Sequence, residues 1–157
     1  MTVRDFRPQD FEGLVDCYRQ GFPRGHNRYT LSRLVRFQRD TILVAEKNTA
    51  IVGVIIGISS HREAWLTGLS VLPQLKLRMA RVSMRLMHSL GERFVEVGFT
   101  QAFATTSRRS VSALAHRINA TLLSEEPNFY FDGEVRSLYQ ADFTTLNNLN
   151  KLKEQQT

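Results

Sequence analysis

The chain has 157 residues, a length that suits one domain with a substantial core, and its hydrophobic content of 42% is ordinary for a globular protein. No apolar run approaches the roughly 20 residues of a membrane span, and the single cysteine, Cys17, excludes an internal disulfide. The formal net charge is +6, which favours an anionic partner.

Thr2 to Phe6 reads as a short strand. Pro8 or Asp10 then starts a helix, since Pro suits the first turn and Asp caps it. Its apolar stripe is Phe11, Leu14, Val15, Tyr18 and Phe22, and Cys17 falls in this pattern as a buried structural thiol. The run Gly21-Phe22-Pro23-Arg24-Gly25 breaks it. Thr30 is the expected cap of a second helix, with Leu31, Leu34, Val35 and Gln38 on one side. Two strands follow, Thr41–Glu46 and Ala50–Ser59, joined at Lys47-Asn48-Thr49 and rich in Ile and Val. Gly53 and Gly57 interrupt the second and imply a bulge or a close approach.

Residues 65–106 form the central unit. Trp65 to Leu72 is extended and stops at Pro73. A basic turn, Gln74-Leu75-Lys76-Leu77-Arg78, precedes a helical pattern with Met79, Val82, Leu86, Leu90 and Phe94 on one face. Arg78, Arg81 and Arg85 share another face, and Gly98 marks the helix end. Phe99 to Thr106 is again extended. A helix start after a strand presents free N–H groups and a positive dipole end, and here it is cationic, so a phosphate-bearing ligand is expected. Residues 74–117 carry a local net +6, against a net acidic segment over 118–157.

Ser107 is placed to cap a further helix, with Val111, Leu114, Ala115 and Ile118 apolar. The terminal hairpin is expected to pair Phe129-Tyr130-Phe131 with Val135–Phe143 around Asp132-Gly133. The tail from Thr144 is polar, giving one domain over 1–143 and a tail over 144–157. The N-terminus lacks the apolar centre of a signal peptide, so the expected location is cytoplasmic. The four histidines lack metal-ligand spacing, and no metal site is expected.

The order β-α-α-β-β-β-α-β-α-β-β resembles that of the GNAT N-acetyltransferase superfamily. Thr2-Val3-Arg4 with Pro8-Gln9-Asp10, Leu43-Val44-Ala45-Glu46 through Ile55, Leu69-Ser70-Val71-Leu72-Pro73, and Arg109 through Ala120 resemble its segments in sequence as well. The resemblance covers roughly residues 2–143. It implies an α+β, three-layer αβα fold of about four helices around a mixed, mostly antiparallel sheet splayed between strands four and five. It implies acetyl-CoA as co-substrate, with pantetheine on Leu69, Ser70 and Val71 and pyrophosphate on Lys76, Leu77, Arg78, Met79, Ala80 and Arg81. Arg109 stands where many members carry a pantetheine-binding asparagine, and an arginine there meets a phosphate instead. The sequence departs from the pattern in the phosphate loop. Leu77, Met79 and Arg81 occupy places where members carry glycine or a small residue, and glycine permits close approach and positive φ.

The same resemblance assigns the chemistry. The amide following the fourth-strand bulge polarises the thioester. Thr67 and Gly68 stand where a carboxylate base is usual, which leaves Glu63 or His61 upstream, acting through water, beside the reading of both as surface residues. His116 takes the position of the tyrosine general acid, and an imidazolium is competent to protonate a thiolate. Its alternative role is packing. Tyr130 and Tyr139 are further candidates. The acceptor is an amine, whether a small molecule, a lysine or a protein N-terminus, drawn in by Glu125, Glu126, Asp132 and Glu134. The alternative function is a GNAT-fold binding module without turnover, whose arginine-rich mouth holds a nucleic acid or an acidic protein partner.

Overall fold

The computed structural model describes residues 1–107, 109–129 and 132–144. The first strand is β1 (Thr2–Asp5), and a 3-10 turn over Pro8–Asp10 leads into α1 (Phe11–Gly21). Next come α2 (Arg28–Phe37), β2 (Ile42–Lys47), β3 (Ala50–Ser59) and β4 (Ala64–Val71). A 3-10 segment, Pro73–Arg78, joins β4 to α3 (Met79–Glu96). The chain continues through β5 (Gln101–Thr106), α4 (Arg109–Arg117), β6 (Thr121–Pro127) and β7 (Val135–Asp142). This is the element order read from the sequence.

The strands form one sheet in the order β1-β2-β3-β4-β5-β7-β6. All neighbours are antiparallel except β4 and β5, which are parallel. The physical reason is α3: parallel neighbours need a long crossover, and an 18-residue helix supplies it. Helices α1 and α2 cover one face, α3 and α4 the other. The middle strands are therefore buried on both sides, which explains their unbroken apolar runs, Ile42 to Ala45 and Val52 to Ile56. Leu14, Val15 and Tyr18 of α1 and Val82, Leu86, Leu90 and Phe94 of α3 close the two cores. Gly57 lies under α3, where a Cβ would meet the Phe94 ring at 2.7 Å. The missing side chain sets how closely α3 approaches the sheet. Among the described residues no helix is long and apolar enough to cross a membrane.

Two elements differ from the sequence expectation. The cap of α2 is Asn27, whose side-chain oxygen accepts the Thr30 N–H at 2.9 Å, so the helix starts ahead of Thr30. The first strand of the terminal hairpin is Thr121–Pro127, upstream of Phe129. Its residues are mostly exposed and polar, because it is the edge of the sheet and only β7 pairs with it. No buried face imposes an alternating pattern there. Tyr130, Phe131 and the tail beyond Thr144 lie outside the described residues.

Candidate functional site

Strands β4 and β5 touch only briefly. Trp65 pairs with Phe103 and Leu66 with Ala104, and the ladder ends there. At the same point the register of β4 on β3 shifts. Gly57 faces Leu66 and Ile56 faces Gly68, which leaves Thr67 as the extra residue of a bulge. A bulge bends its strand, so β4 swings away from β5 directly after the last shared rung. The Thr67 hydroxyl donates to the Ile56 carbonyl at 3.2 Å and holds the kink to β3.

Beyond the bulge, Leu72 N–H donates to the Val52 carbonyl at 2.9 Å. Antiparallel ladders alternate, so Ser70 and Gly68 also turn their peptide groups toward β3. Leu69 and Val71 then turn theirs into the gap. A strand edge so presented needs a hydrogen-bonding partner, and an extended ligand with amides of its own supplies one. The Ser70 side chain points the other way. Its hydroxyl donates to the Cys17 carbonyl of α1 at 2.7 Å, and the Cys17 thiol lies 3.8 Å from the Ser70 carbonyl. Burial pushes that thiol up to about 12, so it stays protonated and is no nucleophile.

The segment after β4 carries the one unusual backbone position of the site. Lys76 has φ 45° and ψ −119°, a region that glycine occupies freely and other residues rarely. Arg78 and Met79, by contrast, are right-handed helical, and neither Leu77 nor Arg81 has a positive φ. Leu77, Met79 and Arg81, which stand where glycine or a small residue is usual, adopt no glycine-like conformation, and the positive φ of this segment falls on Lys76. Met79 packs against the core, Leu77 is 98% exposed, and Arg78, Ala80 and Arg81 face solvent. No side chain caps the start of α3. Arg4, Arg28, Arg93 and Arg136 are all ion-paired, but among the described residues Lys76, Arg78, Arg81 and Arg85 have no carboxylate partner. An open helix start with Lys76, Arg78 and Arg81 unpaired beside it suits an anion, and Arg85 lies further along α3, near Met1 to Val3.

No family model matches the sequence, and no curated protein matches it. Solved structures do. Aminoglycoside 6′-acetyltransferase type Ii superposes with a TM-score of 0.78 at 15% identity, covering 91% of this chain and 97% of that one. Ard1 from Thermoplasma volcanium gives 0.78 at 19% identity, covering 90% and 96%. An aminoglycoside 6′-N-acetyltransferase complexed with coenzyme A gives 0.77 at 14% identity, covering 91% and 97%. This is the GNAT fold.

Within the GNAT fold of this chain, the expected cofactor residues fall in two groups. Leu69, Ser70 and Val71 follow the bulge, and Lys76 to Arg81 form the turn and the helix start beside it. Arg109 is the first residue of α4. The expected catalytic residues stand further apart. Glu63 is exposed in the turn before β4, where its carboxylate accepts the Trp65 indole N–H at 2.9 Å. It precedes Thr67 by four residues, about 13 Å along an extended strand. His116 is exposed on α4, and its ring meets Tyr139 of β7 edge-on at 6.2 Å. No hydrogen bond joins Glu63 or His116 to the bulge among the described residues.

The GNAT fold also brings together residues that the sequence reading did not. A cleft of about 490 Å³ opens between α2 and the β3–β4 hairpin, lined by Tyr29, Arg33, Phe37, Ile58, Glu63 and Trp65. Tyr29 and Phe37 are 70% and 69% exposed. Trp65 packs on Phe103 at 5.2 Å, so the cleft ends at the rung where the strands part. The signal was the spacing Tyr29, Arg33, Phe37 along one edge of α2, outside its buried stripe. Tyr18 is the other such residue. Its ring lies under Gly68, where a Cβ would meet it at 2.7 Å, and it stacks on Phe22 at 4.9 Å. Burial pushes its phenol up, against a backbone hydrogen bond at His26, so it packs beneath the bulge as a neutral ring.

Proposed function

We propose that the chain transfers an acetyl group from acetyl-CoA to an amine by direct attack. The observation that carries this reading is the parting of β4 from β5 at Thr67, with the Leu69 and Val71 peptide groups facing the gap beside an uncapped cationic helix start. The co-substrate brings a thioester. The Leu69 and Val71 peptide groups bond the pantetheine amides, and an N–H of that stretch polarises the thioester carbonyl. Lys76, Arg78, Arg81 and the amides of α3 hold the pyrophosphate, and Arg109 takes a phosphate.

The acceptor approaches from the α2 side. Tyr29, Phe37 and Trp65 offer it an apolar wall, and Glu63 draws its ammonium group. The ammonium loses one proton to solvent before attack; the free amine nitrogen then forms the new C–N bond as the C–S bond breaks, and the proton that nitrogen sheds on acylation is matched by one gained by sulfur. Glu63 relays the proton shed on acylation through water and His116 supplies the one to sulfur. The similarity in fold to acetyltransferases, one of them complexed with coenzyme A, supports the reading.

The test is thiol release across a panel of amines, small molecules and peptide N-termini together. At least one amine is expected to turn over, and Glu63→Gln and His116→Ala are each expected to lower the maximal rate on the order of 10²-fold with acetyl-CoA affinity preserved. Bound acetyl-CoA with no thiol released from any amine would favour the non-catalytic module, whose cationic mouth binds a nucleic acid or an acidic protein.

A further inference from the structure

An apolar pocket of about 60 Å³, partly open to solvent, lies under β5, between α3 and α4. Its wall begins at Leu66 and Ala104, the last paired rung of β4 and β5. Ala115 of α4 forms one side, Leu90 of α3 the other, and Phe94 and Phe143 close the far end. Ala102 and Ala104 of β5, Ala115 of α4 and Ala141 of β7 leave the space between the larger Phe103, Ile118 and Tyr139. An apolar pocket leaves its lining short of dispersion partners, and an apolar guest supplies them.

The position of the cavity names the guest. The first gap-facing amide after Thr67 is that of Leu69, three residues or about 10 Å along β4 from Leu66, and the pocket lining extends past the last rung toward it at Thr106 of β5. A two-carbon acyl group ends in the gap itself. A longer straight chain continues past the last rung into the cavity. We infer that this cavity is an acyl-chain subsite, and that the preferred donor is a CoA thioester with a short straight acyl chain longer than acetyl. The inference rests on the reading that the β4–β5 gap holds a CoA thioester, and it changes the group transferred. The space equals about two waters, enough for the two additional methylenes of a butyryl group and too little for an eight-carbon chain.

The experiment is calorimetric titration of the full chain with CoA, acetyl-CoA, butyryl-CoA and octanoyl-CoA. Butyryl-CoA is expected to bind about tenfold more tightly than acetyl-CoA, from two more buried methylenes, and octanoyl-CoA to lose that advantage. Ala115→Leu fills the cavity, and is expected to abolish the butyryl preference while leaving the acetyl-CoA affinity unchanged. Ala115→Val, a smaller addition, is expected to reduce it and covers the case in which the leucine variant does not fold. Equal affinity for acetyl-CoA and butyryl-CoA in the unmodified protein, with CoA bound, overturns the subsite and leaves the acetyl-transfer reading intact. Failure of CoA and every thioester to bind overturns both.

Discussion

Asp10 shows how single residues hold the scaffold behind the site. It is 7% exposed and accepts from the two terminal guanidinium nitrogens of Arg4, at 2.7 and 2.9 Å, and from the Arg7 N–H at 2.7 Å. Arg4 also reaches Glu46, so the group ties β1 and the entry to α1 onto β2. The Arg4 guanidinium holds the Asp10 carboxyl below the usual range, against the opposing effect of burial. Asp10→Asn removes the charge and leaves Arg4 with a poorer partner, at an expected cost of about 2 kcal/mol by urea denaturation near neutral pH. The folded-state pKa is depressed, so this stabilisation is full above the unfolded value of about 3.9 and is lost as pH falls through the lower folded value. The gap between the two proteins should therefore narrow below about pH 4, and an unchanged gap there would assign the loss to packing. The sequence named Asp10 as a helix-entry residue but not its partner Arg4 six residues earlier, because that contact depends on the path of the turn between β1 and α1, which writes no period into the sequence. Lys76 was legible as a cation and illegible as the left-handed position of the loop, since consensus spacing puts that demand on glycine.

Hairpin and cap chemistry were read with uneven success, for physical reasons. The β2–β3 connection, expected at Lys47-Asn48-Thr49, turns at Asn48-Thr49 with Lys47 closing β2, and their φ angles of 50° and 65° make a tight left-handed turn matched to strand twist. Asn tolerates this conformation, but Thr is β-branched and does not. Thr49→Gly is therefore expected to stabilise the protein by about 1 kcal/mol, read as a rise in melting temperature. A fall would mean that the bond from the Thr49 hydroxyl to the Asn48 carbonyl outweighs the strain. β3 and α3 were legible because burial on a defined face writes a period into sequence, as Val82, Leu86, Leu90 and Phe94 show. β6 was misplaced because it is an exposed edge with no period to read. The bulge in β4 leaves no compositional mark and was expected near Thr67 and Gly68 from the family resemblance alone; the register of β4 on β3 puts its extra residue at Thr67.

The whole molecule is a sheet opened at one seam, with positive charge at the mouth of that seam. The seam follows from topology: α3 makes β4 and β5 parallel, and the bulge lets them part. Element order and charge placement were both legible in the sequence. The cleft beside α2 and the cavity under β5 were not, since each is assembled from elements distant in the chain. The central claim is that the seam holds a CoA thioester, and melting temperature against CoA concentration tests it most directly. A ligand that binds only the folded state must stabilise it, by about 2.7 kcal/mol at a hundredfold excess over its dissociation constant. The melting temperature is expected to rise with CoA and to rise less in Arg78→Ala/Arg81→Ala. A melting temperature that stays flat to millimolar CoA would contradict the account.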